Sequence, residues 1–407
     1  MRFSLMLPLG GGTAALACGV LLAQAPSSGL PRLVLESSEL AREQAWVQVQ
    51  LPSTVRGADL QLRHEQTGEV VPMQIGPDRE AWALLPSIPA EKTVRYLIEP
   101  ALKSSTVDRV TLGRDRSQLQ VSIDGTPAFR YIGEPLTLPV GVDEVFRRGG
   151  YIHPVMTPSG RRVTEDYPPN HRHHHGIWAA WTSTRVGGRS PDFWNMGDKK
   201  GRVEYESVGR TWSGPLTGGF ETRHRYINLL TPTLTTVLTE DWRVVAYAMP
   251  AAGRKAHVFD LTLRQDLVGA QPLELPTYRY GGVGMRGRHE WDGAAKTFFL
   301  TATGRTRVPG HGTRASWVHM SGEVDGQRAG LAMLSHPDNV RSPQPMRIHP
   351  TEPFFNFAPQ QAGPLSIEPR QPFTARYRFV ALDGVPDAAH LDALWQAYAL
   401  PVRARVE

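Results

Sequence analysis

The sequence predicts an all-β chain: a large antiparallel sandwich preceded by a small immunoglobulin-like sandwich, with one C-terminal helix. Three observations carry this expectation. Glycine and proline, 39 and 34 of 407 residues, recur along the whole chain and punctuate it with turns. Short runs of alternating apolar and polar residues lie between them, which is the period of strands with one buried face. Helical spacing of apolar residues occurs in a single segment.

The alternating runs begin with Ala45 to Leu51 and Val94 to Ile98. Leu119 to Ile123 runs into Asp124-Gly125, a pair that tolerates the positive φ of a two-residue hairpin turn. Further strands are expected at Leu234 to Leu238, His257 to Leu263, Thr297 to Ala302, Gly330 to Leu334 and Phe373 to Ala381, and Arg161 to Tyr167 is a strand candidate ended by Pro168-Pro169. The helix is expected over Pro386 to Tyr398, with Asp387 at its start and Leu391, Leu394, Trp395 and Tyr398 on one face. The expected division is a signal segment at 1–25, the small sandwich at 26–115, and the large sandwich with its helix at 116–407. No internal repeat of fixed period is present.

The N-terminus reads as an export signal. Arg2 precedes an uncharged run from Phe3 to Leu22, and Ala23-Gln24-Ala25 has the small-x-small form of a cleavage site. The alternatives are a membrane anchor, which Pro8 and Gly10-Gly11-Gly12 weaken as a helix, and lipidation at Cys18, whose preceding Ala15-Leu16-Ala17 is a poor match to a lipidation signal. These features imply a periplasmic or secreted protein. Cys18 is the sole cysteine, so the chain after the signal has no internal disulfide or thiolate chemistry. No later segment reads as a transmembrane span. The net charge is +6, but the basic residues are scattered and form no block, which argues against nucleic acid as a partner.

Chemistry concentrates in Asn170-His171-Arg172-His173-His174-His175-Gly176. Clustered imidazoles repel when charged and need partners when buried, so such a cluster points to a site. An extended segment would put His171, His173 and His175 on one side; a helix would pair His171 with His175. Either arrangement could hold one divalent transition metal, since neutral imidazole suits such ions. The missing ligand would come from His153, Asp166, Glu240, His336 or Asp338. Without a metal, the same histidines serve as acids, bases and hydrogen-bonding groups for a polar ligand. A purely structural, hydrogen-bonded loop is the third reading. Trp178, Trp181, Phe193, Trp194 and Asn195 follow closely, and indole faces beside imidazoles and carboxylates suit a sugar ring. Each tryptophan can equally be a core residue. The Gly-rich stretch Tyr278 to Gly287 lacks the spacing of a dinucleotide fingerprint and reads as a bulge or a close backbone approach. His336 and His349 stand in Pro-bounded loops, His349 with the weaker claim to a role.

Several motifs together resemble the bacterial PmoA-like family of unknown function: Pro154 to Gly160, Asp166 to Trp178, Tyr280 to Gly284, His336 to Asn339 and Phe354 to Phe357. The resemblance spans roughly residues 118 to 400. That family usually has Asp at the position of Asn170 and often Arg at that of His175, which puts the weight on His171, His173 and His174. The chain's lack of spans argues against reading the name as membrane methane oxygenase. The family is similar to galactose-mutarotase-like supersandwiches, which implies a carbohydrate ligand. The expected function is an exported carbohydrate-active enzyme of hydrolase, lyase or epimerase type, acting on a small-molecule or oligosaccharide substrate. The alternatives are a copper- or iron-dependent oxidoreductase and a non-catalytic carbohydrate-binding protein. The candidate catalytic residues are His171, His173, His174, Glu240, His336 and Asp338. The candidate substrate-binding residues are His153, Arg161, Trp178, Trp194, Tyr280, Asn339 and Asn356, and the candidate metal set is His171, His173 and His175.

Overall fold

The computed structural model describes residues 29–36, 39, 41–57, 59–102, 107–249 and 255–407. The expected signal segment and Cys18 lie outside the described residues. The chain is all-β, built from antiparallel sheets. No helix among the described residues is long and apolar enough to cross a membrane.

The N-terminal sheet has seven strands in the order Arg42–Gln50, Glu80–Ile88, Val70–Ile75, Leu60–His64, Val94–Pro100, Arg32–Leu35 and Ala404–Val406. It wraps around its own core of Leu33, Val47, Leu62, Leu85 and Tyr96. Its last strand comes from the other end of the chain, with Leu33 opposite Val406. The expected division after residue 115 therefore differs from the observed one in two ways. Val110–Asp115 forms a hairpin with Gln118–Ile123 in the next sheet, and the C-terminal strand returns to the first.

Residues from Val110 onward build two eight-stranded sheets face to face. One runs Met346–Ile348, Phe354–Phe357, Gly282–Arg286, Ile177–Ala180, Tyr151–Val155, Thr126–Ile132, Gln118–Ile123, Val110–Asp115. The other runs Gly201–Trp212, Thr217–Asn228, Thr235–Tyr247, Ala256–Leu267, Phe373–Asp383, Gln327–Ser335, Trp317–Val324, Phe298–Thr301. Inward-facing residues such as Val121, Phe129, Phe259, Leu331 and Phe379 fill the space between them. This core is the main source of stability, at roughly 25 cal/mol per Å² of apolar surface withdrawn from water.

The alternating runs each fall on a strand, and Asp124 and Gly125 take the positive φ values of 51° and 75° that their hairpin requires. Arg161 to Tyr167 is not a strand. Only Arg162 bridges back to Met156, because Thr157 to Gly160 turns the chain too tightly for a ladder to extend. The helix forms at Ala388–Ala399, capped by the Asp387 carboxylate, which accepts from the amides of Ala389 and His390. It lays Leu391 and Leu394 on the outer face of the second sheet, against Trp317, Leu334 and Val380.

Candidate functional site

The histidine-rich segment connects Tyr151–Val155 to Ile177–Ala180, neighbouring strands that pair at Ile152 and Ile177. It is neither strand nor helix. The amide of His171 donates to the carbonyl of Pro168, and that of His174 to the carbonyl of His171, so two successive turns make up the cluster. The segment is tied down where the amide of Arg286 donates to Gly176 and the amide of Glu165 to Arg286. Gly176 has to be glycine, since a Cβ there would sit 2.2 Å from the carbonyl oxygen of Ile152.

These turns send the imidazoles in two directions. His171, His173 and His174 line an open pocket of about 140 Å³ together with Trp194, Asn195, Arg279, Tyr280, Arg347, His349 and Phe354. His175 is fully buried on the other side. Its Nδ1 lies 2.6 Å from Asp166, which also accepts from the Tyr151 hydroxyl at 2.7 Å. The candidate metal set of His171, His173 and His175 is therefore split. The described residues hold one group of three metal-capable side chains with donor atoms within 4.8 Å of one another: Glu165, His289 and Glu290. Arg162 and Arg288 already pair with those two carboxylates, and the clustered histidines form no comparable group, so they do not fit a three-histidine ion site.

The pocket histidines pack on one another and on aromatic rings. His174 stacks against His171 at 4.6 Å and against Phe354 at 4.6 Å, with Trp178 behind it at 5.1 Å. His349 stands edge-on to His171 at 5.6 Å. Burial, reinforced by the neighbouring imidazoles, pushes His173 down to about 3 and His174 well below the usual histidine range. Burial likewise lowers His349 to about 4. The cluster is thus neutral at physiological pH.

Of the histidines that line the pocket, His171 is the one with a carboxylate within ion-pair distance among the described residues: Oε2 of Glu352 is 3.2 Å from its Nδ1. Burial lowers its pKa, and Glu352 opposes that shift. Glu352 is fixed in turn by the fully buried Arg286, which also donates to Asp292 at 2.6 Å. The Asn170 amide donates to both carboxylates, at 2.6 Å to Glu352 and 3.1 Å to Asp292. On the far wall, Asp192 accepts from the amides of Trp194 and Asn195 and from the Asn195 side chain, which meets the Tyr280 hydroxyl at 3.2 Å.

Residues 118–396 match a family of unknown function, DUF6807. The chain belongs to that family. No curated protein matches it. Among solved structures it is similar to an alpha-mannosidase from Enterococcus faecalis, with 10% identity, a TM-score of 0.38, and coverage of 93% of this chain and 46% of that one. It is also similar to a glycosyl hydrolase family 38 protein from Enterococcus faecalis, with 9% identity, a TM-score of 0.38, and coverage of 93% and 47%. The chain thus spans about half the length of either structure.

Within the DUF6807 region, several other candidates lie away from the pocket. Glu240 is fully buried in the second sheet and accepts from His224, Tyr226, Trp242 and Gln265 at 2.6–3.1 Å. Its strand faces the core, so it is a network centre and not a partner of the histidines. His336 and Asp338 stand by the C-terminal helix, His336 edge-on to Tyr398 at 5.0 Å and Asp338 paired with Arg376. Asn339 spends its side chain on Ser335 and on the backbone of Arg376. Arg161 clamps Asp383 with Ser159. His153 faces Thr164 at 3.0 Å, near Asp166. Asn356 is fully buried and donates to the carbonyl of Gly281. Trp178 is fully buried and forms the floor under His174, not an open stacking face.

Trp194 and Tyr280 do line the pocket. His349, ranked below His336 from the sequence, lines it too, because its hairpin between Met346–Ile348 and Phe354–Phe357 borders the strand Gly282–Arg286. Glu352, Arg286, Arg279 and Arg347 lie outside the site residues expected from the sequence. The one available signal was Glu352 at the tip of the same hairpin, three residues after His349.

Proposed function

We propose that this chain is an exported carbohydrate-active enzyme that performs acid–base chemistry on one sugar unit held at the His171–His173–His174 pocket. The observation that carries the reading is the His171–Glu352–Arg286 chain beside the aromatic faces of Trp194 and Tyr280. Glu352 lies 3.2 Å from Nδ1 of His171, in ion-pair range and outside hydrogen-bond alignment; with the proton on Nδ1, the neutral imidazole keeps Nε2 as a proton acceptor, and the carboxylate steadies the imidazolium that forms. His173 and His349, held neutral, act as hydrogen-bonding groups for sugar hydroxyls, as does Asn195. The pocket is smaller than the roughly 300–1,000 Å³ of drug-sized sites and so suits a single ring, not a long chain segment. Export rests on the leader-like N-terminus.

Hydrolysis, elimination and epimerisation all draw on a base placed this way. The test is product formation across a panel of glycosides and sugar acids, with His171→Ala and Glu352→Gln alongside the parent. Turnover lost in both folded variants is the expected result. Saturable sugar binding without turnover on any member would instead make this a carbohydrate-binding protein.

A further inference from the structure

Two arginines line the same pocket, and no carboxylate does. Arg347 sits half-buried in the strand Met346–Ile348, its Nε enclosed and without a hydrogen-bond partner among the described residues. Arg279 is exposed at the rim and lies over the Tyr280 ring, 5.5 Å from its centroid. Among the described residues, neither guanidinium has an acidic side chain within ion-pair distance. The two are close enough to repel: after burial, Arg279 is the main influence lowering Arg347. The nearby acids are already engaged, Glu352 and Asp292 by Arg286 and Asp192 by Asn195 and Trp194. The histidines add no positive charge, being neutral.

We propose that Arg279 and Arg347 form an oxyanion subsite and that the sugar taken by this pocket is a sugar acid, bound through its carboxylate. A half-buried Arg347 with a second guanidinium close by favours an anion between the two, and the planar guanidinium fork matches a carboxylate. Size favours a carboxylate over a phosphate or sulfate ester. Turning a hydroxymethyl group into a carboxylate adds a single oxygen, whereas an ester adds a whole tetrahedral group to a cavity of about 140 Å³. The inference rests on the carbohydrate reading of the pocket.

The experiment is a binding titration of the whole protein, followed by ligand-observed NMR, with four classes of probe: methyl glycosides of glucuronate and galacturonate, the matching methyl glucoside and galactoside, glucose 6-phosphate, and lactate. The uronates are expected to bind at least on the order of tenfold more tightly than their neutral parents, with the advantage shrinking as salt is raised. Arg279→Ala and Arg347→Ala should each weaken uronate binding by roughly tenfold to a hundredfold and weaken the neutral sugars severalfold less, so that the uronate preference shrinks. Arg279 is exposed and its side chain donates no hydrogen bond among the described residues, so Arg279→Ala keeps the test meaningful if Arg347→Ala fails to fold. Equal affinity for uronates and neutral sugars would overturn the subsite and leave the carbohydrate reading standing. Lactate binding as tightly as the uronates would overturn the sugar acid and the carbohydrate reading together. Tighter binding of glucose 6-phosphate would overturn the carboxylate assignment, and binding by none of the probes would overturn the proposal outright.

Discussion

Nδ1 of His171 lies 3.2 Å from Oε2 of Glu352, the carboxylate oxygen that also receives the buried guanidinium of Arg286. One carboxylate therefore links the pocket's candidate base to a cation with no access to water. Replacing Arg286 with Met leaves Glu352 and Asp292 without their counter-charge. Removing one partner of a buried pair typically costs about 3–5 kcal/mol. Urea denaturation of Arg286→Met should show a loss of that order, and a loss under 1 kcal/mol would mean that water or a rearranged side chain replaces the guanidinium.

Acid should destabilise the fold through the neutral cluster. His173 is held at about 3 and His349 at about 4, against an ordinary 6.5. Between those values and 6.5 the unfolded chain binds protons that the folded chain refuses. The stabilising contribution is therefore full above about pH 6.5 and is lost as pH falls toward 4. For a group as enclosed as His173 the slope approaches roughly 1.4 kcal/mol per pH unit; for His349, which solvent reaches and screens, it is smaller. Denaturation midpoints measured from pH 7 to 4.5 should fall, and fall less steeply in His173→Ala. A parallel slope in the variant would contradict the assignment.

Tyr151 and His175 share Asp166 on the side of the loop facing away from the pocket. Tyr151→Phe removes a hydroxyl donor from a carboxylate, a bond worth roughly 1.5–3 kcal/mol. Stability should drop by about that amount while ligand affinity stays within twofold of the parent. A large loss of affinity at unchanged stability would show that the second cluster takes part in binding.

Glu240 offers the opposite check on a residue that looked catalytic. Four donors converge on it, so Glu240→Gln would set an amide NH₂ against some of them. Calorimetry should show a marked fall in the unfolding temperature, equivalent to at least about 2 kcal/mol. Rate constants corrected for the folded fraction should be unchanged. A selective loss of rate in a fully stable variant would return Glu240 to the mechanism.

Local signals carried the elements well. Alternation along Leu119 to Ile123, the Asp124-Gly125 turn and the Asp387-capped helix were all readable because neighbours in sequence set them. The failure at Arg161 to Tyr167 has the same origin: a run with strand-like residues stays irregular when Thr157 to Gly160 folds it back before it can find a partner. Site membership was less readable. His336 and His349 have the same local form, a histidine before proline in a loop, yet only His349 lies on a hairpin beside the strand Gly282–Arg286.

By itself the sequence determined the all-β class, the cluster as the centre of interest, and the candidacy of His171, His173 and His174, because composition and periodicity are properties of adjacent residues. Tertiary structure alone decided that two successive turns separate His175 from its neighbours, that Glu240 belongs to the other sheet's buried network, and that Glu352, Arg286, Arg279 and Arg347 surround the pocket. The His171–Glu352 pair joins residues more than a hundred positions apart, and only the strand order of the sandwich brings them within 3.2 Å of each other.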